Sequence, residues 1–135
     1  MVDAEDDRRV TIVLDTQLPR DLDRENFRIR FESGVTQAAS LVKHFIEEGA
    51  EVCLSLGDQR KGFGAGQEHL YACLRRLALV KPNYKAGDYT WSDELATRAD
   101  PRALSPESNY LILLTAATQG SIPPHIWRRA FVIYL

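Results

Sequence analysis

The 135-residue chain has only two cysteines, Cys53 and Cys73, and both fall inside apolar segments without C-x-x-C spacing. This argues against a disulfide or a metal role, and both thiols read as small buried hydrophobes. No apolar run approaches the ~20 residues of a membrane span. Residues 1–9 (MVDAEDDRR) are too acidic for a signal peptide and read as a flexible lead-in. A formal net charge of −2 provides no cationic field, so nucleic acid is not an expected partner. Internal repeats and low-complexity stretches are also missing. The expectation is a cytoplasmic protein with no membrane segment in this chain, folded as one domain over residues 1–135. That length suffices to bury about two-thirds of the unfolded surface.

What the chain does have is a set of short, continuously apolar runs. Val10-Thr11-Ile12-Val13-Leu14 reaches Asp15 and then the turn Thr16-Gln17-Leu18-Pro19. Such a run suits a parallel strand buried on both faces, delivering a carboxylate to the top of a sheet. Phe31, Val35, Ala38, Val42 and Phe45 step by four and three, which predicts a helix to about Glu48, with Phe27 and Ile46 extending its face. Gly49 ends it. Glu51-Val52-Cys53-Leu54-Ser55-Leu56 reads as a second strand, ending in Gly57-Asp58. Strand, helix and strand with short joins make a right-handed parallel unit.

A glycine-rich loop follows, with Arg60 and Lys61 ahead of Gly62, Gly64 and Gly66. A second helix is predicted from about Gln67 to Leu79, burying Leu70, Tyr71, Leu74 and Leu77, and Lys81-Pro82 stops it. Ser92 can cap a short helix, and Pro101 and Pro106 bracket a loop. Tyr110-Leu111-Ile112-Leu113-Leu114-Thr115 is a third strand, residues 121–130 hold a short helix opened by Pro123-Pro124, and Phe131-Val132-Ile133-Tyr134-Leu135 is a fourth strand. An apolar strand in that last place suggests a longer chain or a covering partner, including a homodimer through Phe131 to Leu135. The fold class is α/β: a three-layer sandwich with a mostly parallel, Rossmann-like sheet, strand order 2-1-3-4 by appearance, and helices on both faces.

Several constellations fail as catalytic or metal sites. His44, His69 and His125 lack paired metal spacing, and no G-x-S-x-G elbow supports a triad of Asp15, His69 and a serine. Trp91 and Trp127 read as packing residues, and Arg128-Arg129 as a solvated helix end. The loop from Gly62 to Gly66 opens a helix and could cradle a phosphate, with Arg60 and Lys61 as the cations. It is G-x-G-x-G after the second strand rather than the dinucleotide fingerprint after the first, and Glu68 opposes an anion. A small-molecule or nucleotide-binding domain using this loop is the alternative function.

The order of elements resembles a von Willebrand factor A-like domain, and within that group the uncharacterised bacterial family called domain of unknown function 58. The residues carrying the resemblance are Val13-Leu14-Asp15, Phe31-Glu32, Val35-Thr36-Gln37-Ala38-Ala39-Ser40-Leu41 and Gly49-Ala50-Glu51-Val52. Gly64-Ala65-Gly66-Gln67-Glu68-His69-Leu70 and Leu74-Arg75-Arg76-Leu77-Ala78 continue it. The resemblance implies a portion of a longer, often membrane-anchored architecture, and an assembly role beside a MoxR-type AAA+ ATPase without catalytic activity.

It also implies a metal-ion-dependent adhesion site, Asp-x-Ser-x-Ser after the first strand, a threonine in a second loop and an aspartate after a later strand. Asp15 fits the first position, but Gln17 and Pro19 stand at the serines and Ala116 at the later aspartate. Hard divalent cations need several oxygen ligands, so the site is expected to be degenerate and to hold no metal. The expected function is a non-enzymatic interaction module with no cofactor. Its partner-facing residues are Asp15, Thr16, Gln17, Asp58, Gly62, Gly64, Gly66 and Thr115.

Overall fold

The computed structural model describes residues 8–19, 22–57, 59–60, 62–84, 109–117, 122 and 130–135. Five strands and two helices are laid out along them. They are β1 (Arg9–Leu14), α1 (Arg24–Glu47), β2 (Glu51–Leu56), β3 (Gln59–Arg60), α2 (Gly66–Leu79), β4 (Asn109–Thr115) and β5 (Phe131–Tyr134). The sheet order is β3-β2-β1-β4-β5, with β2, β1, β4 and β5 mutually parallel and β3 antiparallel at one edge. The parallel part has the order read from the sequence.

β1 sits at the centre because it has almost nothing polar to offer water. Val10, Ile12, Val13 and Leu14 are all buried. Its register aligns Leu14 with Leu56 on one side and with Leu114 on the other. Val10, Ile12 and Leu14 face a large core shared with Val52, Leu54, Leu56, Ile112, Leu114, α1 and α2. Val13 and Leu113 face the other way and pack with Ile122.

α1 begins at Asp23, whose carboxylate accepts the Asn26 backbone N–H at 3.1 Å and satisfies one of the free donors of the first turn. The Asn26 side-chain amide bonds the same carboxylate and holds its pKa below the usual range. Phe27, Phe31, Gly34, Ala38 and Val42 form the buried stripe, and Gly49 at φ +88° ends the helix as expected. Gly34 is small for a reason: an added Cβ would come within 2.6 Å of the Leu135 side chain and 3.0 Å of Leu14.

α2 buries Leu70, Cys73 and Leu77. Tyr71 is a correction to the expected core, since it is 60% exposed. One residue is a 100° rotation in a helix, and the Leu70–Cys73–Leu77 stripe takes the inward face. Both cysteines are buried as thiols, and burial pushes the Cys73 thiol up, away from reactivity. Both helices contribute to the same core on one side of the sheet.

The loop after β2 also differs from expectation. It contains β3, and then Gly64 forms a second antiparallel bridge, exchanging hydrogen bonds with Val52 at 2.8 and 3.1 Å. Between those pairings the outer Leu54 carbonyl accepts from Arg76 at 2.8 Å, and the Val52 carbonyl also accepts from His69 Nε2 at 2.7 Å. Side chains of α2 thereby close an edge that two residues of β3 cannot close alone.

The short helix capped by Ser92, the loop between Pro101 and Pro106 and the helix opened by Pro123-Pro124 lie outside the described residues. So do residues 1–7, Asp58, Lys61, Trp91, His125, Trp127, Arg128 and Arg129. Among the described residues no helix is long and apolar enough to cross a membrane.

Candidate functional site

Open parallel sheets present a crevice where neighbouring connections leave in opposite directions, at the carboxyl ends of the strands. Here that position lies between β1 and β4, because β1 leads through α1 to β2 on its other side. Asp15 follows β1 directly, and Thr115 closes β4. The parallel register sets them side by side, and the Asp15 backbone N–H donates to Leu114 O at 2.9 Å.

Their side chains join. Thr115 Oγ1 donates to Asp15 Oδ2 at 2.7 Å and accepts from the Ala117 N–H at 3.0 Å. Asp15 Oδ1 accepts from the Gln17 N–H at 3.0 Å, folding the chain into a turn that starts the connection to α1. Both oxygens of the carboxylate are thus engaged by the protein, and Asp15 is only 6% exposed while Thr115 is fully buried. A buried carboxylate is tolerable on these terms, because charge-assisted hydrogen bonds replace its hydration.

Gly57 completes the row on the β2 side, its N–H donating to Leu14 O at 3.1 Å. Its φ of +60° and the Thr16 hydroxyl, 2.6 Å from where a Cβ would stand, both require glycine. Ser55 lies two residues down β2, buried, with no hydrogen-bond partner for its hydroxyl among the described residues. On the rim, Gln17 bridges in parallel fashion to Asn83, just beyond α2. The Asn83 N–H donates to Thr16 O at 2.7 Å, Leu18 N–H donates to Asn83 O at 3.0 Å, and the Asn83 amide reaches Gln17 Oε1 at 3.3 Å.

The expected partner face therefore divides in two. Asp15, Thr16, Gln17 and Thr115 meet at the carboxyl ends of the strands, with half-buried Pro19 and buried Ala116 flanking them. Gly64 pairs with Val52, near the start of β2, about 13 Å back along the strand from Leu56. Gly66, at φ +84°, opens α2 from that same far end. The antiparallel return of the chain through β3 carries the glycines away from Asp15. Ala65 gives α2 no side-chain cap, and the exposed Glu68 occupies its first turn. There Arg9 pairs with Glu51 at 2.8 Å and lies 5.1 Å over the Phe63 ring.

Reading the sequence alone misses Asn83 and Gly57 as parts of the site. Gly57 carries a usable signal, a glycine directly after a buried strand; Asn83 carries none, since its role is a backbone pairing 66 residues from Gln17. Among the described residues no three His, Cys, Asp or Glu side chains gather in a way that could hold a metal ion. Comparison of the chain with models of protein families, with curated proteins and with solved structures finds no match.

Proposed function

We propose that the chain is a non-enzymatic interaction module, a von Willebrand A-like three-layer α/β domain whose metal site has become an internal strut. The observation that carries this reading is the Asp15 carboxylate, with one oxygen taken by Thr115 and the other by the Gln17 N–H. Gln17, Pro19 and Ala116, at the positions where the resemblance implies further oxygen ligands, support it. The rim of Thr16, Gln17 and Asn83 is the surface offered to a cytoplasmic protein partner, and by the same resemblance that partner is a MoxR-type AAA+ ATPase.

Calorimetric titration with Mg²⁺, Mn²⁺ and Ca²⁺ is expected to show no micromolar binding. Micromolar affinity abolished by Asp15→Ala would overturn the strut. Immobilised chain should capture a purified MoxR-type ATPase from the same organism, and Gln17→Arg should weaken capture about tenfold or more, the size of a rim contact turned repulsive. Absence of capture at tens of micromolar, with Gln17→Arg indistinguishable from wild type, removes that partner.

A second reading, a homodimer through β5, is favoured by one observation. β5 is the edge of the sheet opposite β3, and Phe131 on it is 69% exposed while Tyr134 is 41% exposed. Apolar edge strands are templates for pairing with another chain. Light scattering is expected to show a mass that doubles with concentration and returns to the monomer value for Val132→Pro. A monomer at every concentration rejects the dimer.

A further inference from the structure

We propose that residues 80–84 are a strap whose release is the conformational step that withdraws the Gln17 N–H from Asp15 Oδ1 at the switch point. The inference rests on the reading of that point as the partner-facing site.

The strap begins where α2 stops. Val80 is extended at φ −69° and ψ 142°, and half-buried Pro82 stiffens the run into Asn83. Asn83 then fastens the first loop on both sides of a single residue. Its N–H holds Thr16 O at 2.7 Å and its carbonyl holds the Leu18 N–H at 3.0 Å, so Gln17 is clamped between two fixed peptide groups. The amide of Asn83 adds a third bond, to Gln17 Oε1 at 3.3 Å. Gln17 is the residue whose N–H occupies Asp15 Oδ1.

What holds the strap down is the next residue. The Tyr84 ring stands edge-on to Phe27, with centroids 6.0 Å apart at 85°, and the Arg24 guanidinium lies 5.3 Å over its face. Both partners belong to the first turn of α1, which the same loop enters. Strap, loop and helix start therefore form one closed circuit over the strand ends. Most of its members are exposed or half-buried: Asn83 and Arg24 are exposed, and Gln17, Leu18 and Tyr84 are half-buried. The circuit can open while β1, β2 and β4 stay paired, because the strand ladder uses none of its hydrogen bonds. Local openings of this kind, well below the cost of global unfolding, are where binding loops are drawn from.

Residue-resolved hydrogen exchange on the full chain tests this, in the absence of any partner. Tyr84→Ala is expected to speed exchange of the Gln17 and Leu18 amides about tenfold or more, the loss of roughly one net interaction. The Asp15 and Gly57 amides, which report the β1–β4 and β1–β2 pairings, should keep their wild-type rates. Asn83→Ala, a smaller perturbation that leaves the aromatic contact, should move Gln17 and Leu18 in the same direction by less. Unchanged Gln17 and Leu18 rates overturn the strap, and so does a parallel rise at Asp15 and Gly57, which would make Tyr84 an ordinary stabilising residue. Faster exchange at Leu18 alone overturns the link to Asp15. Failure of a protein partner to bind leaves all these rates as they are, so the two proposals fail separately.

Discussion

Asp15→Ala is expected to lower the free energy of unfolding by about 2–4 kcal/mol. Two hydrogen bonds to a charged acceptor contribute roughly 1.5–3 kcal/mol each, and removing the buried carboxylate recovers part of its desolvation cost. The loss is concentrated at β1–β4, where the Thr115 hydroxyl is left with no acceptor and the turn at Gln17 loses its anchor. Asp15→Asn retains an acceptor for the Gln17 N–H, and Thr115 can reverse its hydroxyl to accept from the new amide, so its cost falls to about 1–2 kcal/mol. Thr115→Val should couple to Asp15→Ala by about 1 kcal/mol or more in a double-mutant cycle measured by urea unfolding. An Asp15→Ala protein as stable as wild type would show a carboxylate held in place for a ligand rather than for the fold.

The same residue illustrates how far the sequence can be read. The run from Val10 to Leu14 announces a buried parallel strand because it is apolar at every position but one, and its end marks where the carboxylate must emerge. The register that puts Thr115 against Asp15 is not written in either segment. It follows from β1 and β4 sharing a ladder that runs from Arg9 beside Asn109 to Leu14 beside Leu114. α1 was legible for a comparable reason, a four-and-three spacing of large apolar residues that only a helix places on one face.

Where the signal is short or lies in backbone groups, pattern fails. β3 is Gln59–Arg60, two polar residues whose pairing depends on the turn at Gly57 rather than on hydrophobic alternation. That pairing turns the glycine loop back along β2 and separates two groups of residues that sequence order alone placed on one face. Tyr71, an aromatic beside Leu70, looks like core in the sequence, whereas the helix has room inward for a single stripe. Asn83 is the plainest case. Its backbone pairing with the first loop uses its own N–H and C=O, which every residue but proline possesses, so its identity gives no warning of its position.

The largest loss is expected at Phe27. Phe27→Ala should cost about 3–5 kcal/mol, the range for emptying a fully buried aromatic position. Phe27 is 1% exposed, lies in the first turn of α1, and packs against Phe31 at 5.8 Å as well as Tyr84. Collapse into the vacancy is restricted on one side by the strands, which are fixed by their ladders, and on the other by the helix cap at Asp23. Phe27→Leu refills most of the volume and should cost about 1–1.5 kcal/mol. The two effects differ in where they appear. Asp15→Ala loosens the β1–β4 pairing, whereas Phe27→Ala removes the surface on which Tyr84 rests. Phe27→Ala and Tyr84→Ala should therefore be non-additive by roughly 0.5–1.5 kcal/mol, the worth of an aromatic pair beyond its buried area. Phe27→Ala and Thr115→Val, which share no partner among the described residues, should add. If the first pair is additive, Tyr84 does not rest on Phe27 in solution, and the closed circuit over the strand ends loses its aromatic fastening.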